Sequence, residues 1–210
     1  FDPIRGAGAN FVSNADGITN TGFEIELYYA ATDRLTLSGN FSYTETEYGE
    51  DYFVFTVDDP INPVPVFGTF TQGFVSAQVT DPSQASDYTV NLKGGPLKGI
   101  PEEKATIRVS YEQDTRFGPL YYLLSHSYTG DFSASGIQRP LDRIDSRETT
   151  NLNISWYSQD GNLSLRAYVD NLFDNDNYYA LSTGDHETNY RKSVTALPPR
   201  VMGLDIRYRF

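Results

Sequence analysis

The sequence ends in Arg200-Val-Met-Gly-Leu-Asp-Ile-Arg-Tyr-Arg-Phe210, and this stretch decides the fold. Every second position is apolar: Met202, Leu204, Ile206, Tyr208 and Phe210. The positions between them hold polar residues such as Asp205 and Arg207. A period of two is that of a β-strand whose two faces meet different surroundings. The stretch therefore predicts a strand with one face for an apolar medium and one for water.

The same alternation recurs in six earlier segments. They span residues 21–30, 35–43, 104–111, 120–128, 152–156 and 163–169. No segment sustains the period of a helix, and no apolar run approaches the ~18 residues of a membrane-spanning helix. The sequence predicts about seven strands of roughly 8–12 residues, near the ~9–11 with which a tilted strand crosses a bilayer. The fold class is all-β.

The predicted connections alternate in length. Short turns are expected at residues 31–33, 112–119 and 158–161, and long connections at residues 49–103, 130–148 and 173–199. Outer-membrane barrels have short turns on the periplasmic side and long loops outside. A soluble sandwich has no reason to segregate them in this way. The pattern thus favours an antiparallel transmembrane β-barrel.

The first long connection, about residues 49–100, differs in composition from the strands. Between Arg34 and Lys93 there are eight acidic residues and no basic one. Four prolines, Pro60, Pro63, Pro65 and Pro82, are unsuited to a central strand. The apolar pieces at residues 53–57 and 64–70 predict a hairpin above the membrane. Because connections this long are usually functional or disordered, we predict an extracellular loop that contacts a substrate.

Several motifs carry a family resemblance. Residues 20–27 read Asn-Thr-Gly-Phe-Glu-Ile-Glu-Leu, residues 33–38 read Asp-Arg-Leu-Thr-Leu-Ser, and residues 168–174 read Tyr-Val-Asp-Asn-Leu-Phe-Asp. Pro198-Pro199-Arg200 leads into the last strand. In this order they resemble the C-terminal part of the barrel of TonB-dependent outer-membrane receptors. The final strand also resembles the signal that the barrel-assembly machinery recognises, carried by Met202, Leu204, Ile206, Tyr208 and Phe210.

The resemblance implies a part of a larger protein. A full receptor is a 22-stranded barrel around an N-terminal plug domain, and it takes up scarce ligands such as ferric siderophores with energy relayed by TonB. Residues 1–210 match about the last seven strands of that barrel, without the plug or the TonB-binding motif. Alone, such a sheet would leave two unpaired edges in lipid, so we interpret the chain as a fragment.

The expected location is the bacterial outer membrane. The implied partners are outer-membrane lipid and lipopolysaccharide, the missing N-terminal strands and plug, TonB through that missing part, the assembly machinery and a small-molecule ligand. The resemblance also implies that polar residues facing the lumen bond to the plug. These are Glu24, Glu26, Arg108, Arg166, Asp205 and Arg207.

Residues of the long connections are the candidates for ligand contact, since aromatic rings give large contact areas at low entropic cost. The candidates are Tyr48, Tyr52, Asp58, Asp59, His186 and Tyr190. Tyr178 and Tyr179 fit either this role or the upper aromatic girdle, and the girdle is favoured. His126 is expected at the membrane interface on the outward face.

Other functions find little support in the sequence. The net charge of -12 argues against a nucleic-acid partner, and the lack of Cys excludes disulfides and thiolate metal sites. No Gly-x-Ser-x-Gly elbow is present and neither His has an evident orienting partner, so we predict no enzyme, catalytic residue or cofactor. Asp174-Asn-Asp176 has the oxygen spacing of a calcium loop without its later Gly and Glu, so no metal is predicted.

Two alternatives remain at the level of sequence. A passive porin would share the last strand but not the Asn-Leu-Phe-Asp and Gly-x-Glu-x-Glu motifs. A soluble β-sandwich that binds a ligand would share the alternation alone.

Overall fold

The structure, a computed structural model, describes residues 15, 17–55, 89–136, 140–183 and 191–210. The strands in chain order are β1 Ile18–Ala30, β2 Leu35–Tyr48, β3 Phe53–Phe55, β4 Thr89–Asn91, β5 Glu103–Thr115, β6 Gly118–Thr129, β7 Phe132–Ser133, β8 Arg143–Ile144, β9 Arg147–Tyr157, β10 Leu163–Asp170, β11 Tyr178–Thr183, β12 Lys192–Ala196 and β13 Val201–Tyr208. A 3-10 turn spans Pro140–Asp142. No helix within the described ranges has the length and apolar character needed to cross a membrane.

Seven of these strands form one antiparallel sheet, the wall, in the order β1-β2-β5-β6-β9-β10-β13. The predicted all-β fold with about seven long strands is confirmed. Each wall strand pairs with the next wall strand along the chain, as in a meander. The remaining strands of the described part form three small ribbons, β3–β4, β7–β8 and β11–β12, within the long connections. The sheet is open at β1 and β13, as expected for a segment of a barrel wall.

The register of the wall aligns the apolar positions on one face. Three rows of paired residues illustrate it: Ile25–Phe41–Ala105, Val109–Leu124–Leu152 and Trp156–Leu165–Ile206. The opposite face is polar, as in the rows Glu26–Asn40–Thr106–Ser127 and Ser155–Arg166–Asp205. Because side chains alternate along a strand, one register error would move a whole apolar set to the polar face.

The wall has no core of its own. Among the described residues, the buried hydrophobic side chains are Leu92 and Ile144, and both lie outside the wall strands. Within the wall, Met202, Leu204 and Ile206 are 69%, 63% and 65% exposed. Burial of apolar surface is worth about 25 cal/mol per Å². The apolar face must therefore be covered by something other than the described part of the chain, and a lipid bilayer meets that requirement.

The turn between β5 and β6 is shorter than predicted. The sequence suggested a connection at residues 112–119, but Gln113 pairs with Leu120 and Asp114 with Pro119. Polar side chains at these positions led to the prediction of a turn. At the solvent-exposed end of a sheet, however, backbone pairing does not depend on the polarity of the side chains. The turn itself is Arg116-Phe117, and Thr115 Oγ1 donates a hydrogen bond to the carbonyl of Gly118 at 2.6 Å.

The turn between β9 and β10 is held by its own side chains. Ser158 Oγ donates to Asp160 Oδ1 at 2.5 Å, and the backbone amide of Asn162 donates to the same oxygen at 3.2 Å. The hydrogen bond from Ser158 is the main reason that the pKa of the Asp160 carboxyl is lowered. Gly161 has a φ of 71°, which explains the predicted Asp160-Gly161 turn.

The first long connection contains a pairing that the sequence did not indicate. The backbone of Phe53–Phe55 pairs with that of Thr89–Asn91, more than thirty residues further on. The expected partner of this piece, residues 64–70, lies outside the described residues. The β3–β4 ribbon brings the two ends of the connection together beside the end of β2.

We predict that two turn glycines differ in their tolerance of substitution. Gly161→Ala should cost about 1 kcal/mol of unfolding free energy, because a positive φ is the whole of the penalty and no atom lies near the added methyl. Gly118→Ala should cost about 3 kcal/mol or more, since its φ is 123° and a Cβ would collide with the carbonyl oxygen of Tyr157. Urea unfolding of the two variants would compare them, and equal costs would contradict this reading of the turn.

Candidate functional site

All three long connections leave the wall at the same end, because neighbouring strands are antiparallel. They join β2 to β5, β6 to β9 and β10 to β13. The ribbons β3–β4, β7–β8 and β11–β12 belong to these connections. This loop end of the sheet, together with the polar face below it, is the candidate functional site.

The polar face carries all six residues that the resemblance placed in the lumen. Register puts them there: Glu24, Glu26, Arg108, Arg166, Asp205 and Arg207. Arg166 and Asp205 form an ion pair at 3.6 Å in which both side chains are about half exposed. An exposed pair of this kind adds little stability. The face is one that water or a polar partner can cover, and its position in a barrel lumen stays a prediction.

Two predicted ligand-contact residues come together at the end of β2. The rings of Tyr48 and Tyr52 stack with centroids 5.6 Å apart and an interplanar angle of 10°. The amide of Tyr48 donates to the carbonyl of Gly95 at 3.1 Å, and its carbonyl accepts from Gly94 at 2.8 Å. The stacked pair is thus fixed to both ends of the first connection. Four further candidates lie outside the described residues: Asp58, Asp59, His186 and Tyr190.

A small polar cluster next to the tyrosine pair closes the base of the same connection. Asn91 Nδ2 donates to Asp51 Oδ1 at 3.0 Å, and Lys93 Nζ lies 3.4 Å from the same oxygen. The hydrogen bond from Asn91 and the positive charge of Lys93 lower the pKa of Asp51. Sequence analysis did not single out these residues, since the contact spans about forty residues of chain and has no local pattern.

The second and third connections meet at Arg147, the first residue of β9. Its guanidinium lies 5.6 Å from the ring centroid of Phe132 in β7 and 5.3 Å from that of Tyr179 in β11. Tyr179 therefore lies in a loop ribbon and contacts a cation there, whereas sequence analysis favoured an aromatic girdle around the wall. Cation–π contacts of this kind are worth about 0.5–1 kcal/mol at exposed sites and more when desolvated.

Other bonds between the same two connections are polar and exposed. Asn177 Nδ2 donates to the carbonyls of Asp145 and Ser146 at 3.3 and 2.7 Å. The ammonium of Lys192 donates to the carbonyl of Leu141. These contacts dock the β11–β12 ribbon on the loop that contains β7 and β8.

A cavity of about 600 Å³ lies between the first and second connections. Its lining is mixed and includes Leu97, Ile100, Glu103, Tyr128, Phe132 and Arg143. Arg143 forms an ion pair with Asp131 at 2.6 Å beside it. None of the lining residues was predicted to contact a ligand. A volume of this size is within the range of small-molecule pockets.

The Asn-Leu-Phe-Asp motif closes the base of the third connection. Asn171 is 3% exposed and has a φ of 52°. Its Nδ2 donates to the carbonyls of Asn175 and Pro198 at 2.9 and 3.0 Å, and its Oδ1 accepts from the amide of Asn175 at 3.0 Å. One buried amide thus joins the end of β10 to the segment that leads into β13.

Asp174 completes the closure. Its φ is 57°, and its Oδ1 accepts the amide of Arg200 at 2.8 Å. The side chain of Arg200 donates to the carbonyl of Leu172 at 3.3 Å. The carboxylate that sequence analysis considered for calcium is therefore used to hold the start of the last strand. Within the described ranges, no three His, Asp or Glu side chains come close enough to hold a metal ion.

His126 lies on the apolar face at its loop end. Its Nδ1 is 2.9 Å from Thr150 Oγ1, and its Nε2 is 3.8 Å from a carboxylate oxygen of Glu148. It is paired with Ile107 on one side and Thr150 on the other. Here the apolar face passes into a polar rim, and the place of His126 at a membrane interface stays a prediction.

The chain is similar to known proteins in sequence and in structure. A family model described as "TonB dependent receptor-like, beta-barrel" matches residues 1–172. No curated protein matches the sequence. Among solved structures, the ferric yersiniabactin uptake receptor FyuA from Yersinia pestis is similar at 18% identity and a TM-score of 0.64. The match covers 92% of this chain and 24% of that one.

Two further solved structures resemble the chain. The siderophore receptor PiuA from Acinetobacter baumannii has 14% identity and a TM-score of 0.60, with 91% of this chain and 22% of that one covered. The ferric citrate transporter FecA has 16% identity and a TM-score of 0.57, with 92% and 24% covered. The chain thus spans about a quarter of the length of these proteins. At identities this low, the structural match shows a common fold and nothing more.

We predict that Asn171 controls local opening of the third connection. Asn171→Gly keeps the positive φ but loses three side-chain hydrogen bonds worth ~1 kcal/mol each, so amide exchange over residues 171–183 and 191–200 should accelerate roughly 30-fold or more. Asn171→Ala should exchange about 5-fold faster again, because alanine disfavours that backbone conformation. Hydrogen–deuterium exchange with mass spectrometry on the protein made from its complete gene measures this. Asn162→Gly, in a turn at the other end of the wall, is the control, and exchange unchanged in Asn171→Gly would refute the role.

Proposed function

We infer the function from the family, since the chain belongs to the TonB-dependent receptor β-barrels. We propose that it supplies wall strands and extracellular loops to an outer-membrane receptor for a scarce small molecule. The solved relatives are receptors and transporters, not enzymes. The family match also decides against a soluble β-sandwich and a general porin.

The observation that carries the proposal is the division of the wall into an apolar and a polar face. Between the row of His126 and the turn end, the apolar face holds no charged side chain among the described residues of β5, β6 and β9. The charged side chains of these three strands lie on the opposite face or beyond the apolar band. A bilayer covers the first face and a filled or watery lumen suits the second. This arrangement supports a location in the outer membrane, in contact with its lipid and lipopolysaccharide.

The proposed ligand is a ferric siderophore. Support comes from the kind of structures that share the fold, three of which are named for ferric complexes or siderophores. Contacts are proposed from Tyr48 and Tyr52, which sit at the loop end of the polar face, and from Asp58, Asp59, His186 and Tyr190. Energy would come through TonB, acting on a plug domain and TonB-binding segment encoded outside these residues.

Uptake by an intact cell tests the function. A strain that lacks the gene should fail to accumulate iron-55 from at least one ferric siderophore under iron limitation, and the complete gene should restore uptake. Removal of TonB should abolish the restored uptake, since transport needs energy from the inner membrane. Normal iron uptake and growth of the deletion strain across ferric siderophores would contradict the assignment.

We predict that a lysine destabilises the protein strongly on the apolar face of the wall and only slightly on the polar face. Val109→Lys places an ammonium among Leu37 and Leu124 on the apolar face and should cost about 2–4 kcal/mol in a bilayer. Ser110→Lys, the matched control one residue on, points to the polar face beside Thr36 and Leu123 and should cost less than about 1 kcal/mol. Urea unfolding in lipid vesicles measures both, and similar costs would argue against the proposed membrane orientation.

A further inference from the structure

Arg147 carries a donor that the described structure does not satisfy. Its Nη1 is shut off from solvent and has no hydrogen-bond partner within the described residues. A buried donor without a partner is costly, and a charged one more so, which makes it rare in folded proteins. Arg143, four residues earlier, shows the ordinary case: its guanidinium pairs with Asp131 at 2.6 Å. The two arginines therefore differ: Arg143 has a carboxylate partner, whereas Nη1 of Arg147 has no hydrogen-bond partner within the described residues.

The surroundings of Arg147 define a cradle for an anion. The rings of Phe132 and Tyr179 hold the guanidinium from two different loops without using its hydrogen-bonding edge. On the polar face Arg147 pairs with Thr129, and Thr129 pairs with Lys104. Two cations and a hydroxyl thus occupy one row across three strands, with the outer Cα atoms roughly 10 Å apart. An arginine fork is suited to two oxygens of a carboxylate or a similar planar anion.

The ribbon above Arg147 is held in place by exposed contacts. Tyr179 is 60% exposed, and the β11–β12 ribbon is held to the second connection by the exposed bonds of Asn177 and Lys192 described above. Phe132 belongs to β7, which is paired with β8 and lies next to the buried Ile144. Of the two rings, Tyr179 is the one that a ligand can displace at little cost.

We propose that Arg147 is a ligand-binding residue for an anionic oxygen, most simply a carboxylate of an iron(III) complex, and that this group displaces Tyr179 from the guanidinium when it binds. The inference rests on the proposed function and narrows it, because it assigns the ligand a negative charge. The β11–β12 ribbon then opens as the anion enters, so that binding and loop movement are linked at one side chain.

Binding measurements with two iron(III) complexes test the inference. The protein made from its complete gene is purified in detergent, and its affinity for iron(III) citrate, which is anionic, and for an uncharged iron(III) tris-hydroxamate is measured by calorimetry. Arg147→Met should weaken citrate-complex binding about 10- to 100-fold, the loss expected for one charge-assisted hydrogen-bonded pair. Arg116→Met is the matched control, because it removes a cation that also lies over an aromatic ring, Phe117, but in the β5–β6 turn at the opposite end of the wall. It should leave both affinities unchanged.

A second variant and a second readout separate binding from folding. Arg147→Lys keeps the charge but not the planar fork, and it should recover part of the affinity without restoring it. In the wild type, the citrate complex should speed amide exchange over residues 178–183 as Tyr179 is displaced, and in Arg147→Met it should not.

Three results would overturn the inference. In the first, Arg147→Met loses affinity equally for both complexes. In the second, it loses affinity for neither. In the third, the wild-type protein does not bind the citrate complex. The uptake experiment is independent of these, since a receptor for an uncharged complex would still transport iron while failing here.

Discussion

The structure depends on an apolar sheet face that no described part of the chain covers. Side chains such as Leu204 and Ile206 are exposed over most of their surface, and no layer of the described chain packs against them. Every wall strand must then keep charged side chains off this face within the apolar band, because a charge there would lose its hydration in lipid. The charged residues collect on the other face, and the strands must lie in one register for the separation to hold along the sheet.

As a consequence, the fully buried side chains of the described residues lie in the long connections and not in the wall. Leu92, Ile144 and Asp142 are buried, and all lie at the loop end outside the wall strands. The loops therefore bury side chains of their own, and the amide of Asn171 closes the base of the third connection. Loops that are held by their own contacts can change without altering the wall that carries them.

Sequence reasoning succeeded where the determinants are local. A period of two is visible within eight residues, so the strands and their faces followed from it, as did the turn at Asp160-Gly161. It failed where contacts join distant parts of the chain. The β3–β4 pairing and the contact of Arg147 with Tyr179 span tens of residues of chain without a repeating pattern. Asn171 was recognised as part of a motif, but its bonds to Asn175 and Pro198 became visible only in the structure.

The same division explains how proteins of low identity share this wall. Alternation requires an apolar residue at a position such as Val109 and a small or polar one at Ser110, without fixing which residue it is. A set of apolar side chains of similar size is interchangeable against lipid, since no packed core selects among them. Positions with a defined conformation or bonding partner are constrained far more, as at Gly118 and Asn171. The residues proposed to contact the ligand, Arg147 and the loop tyrosines, are bound by neither requirement, so a change at these positions would leave the wall intact.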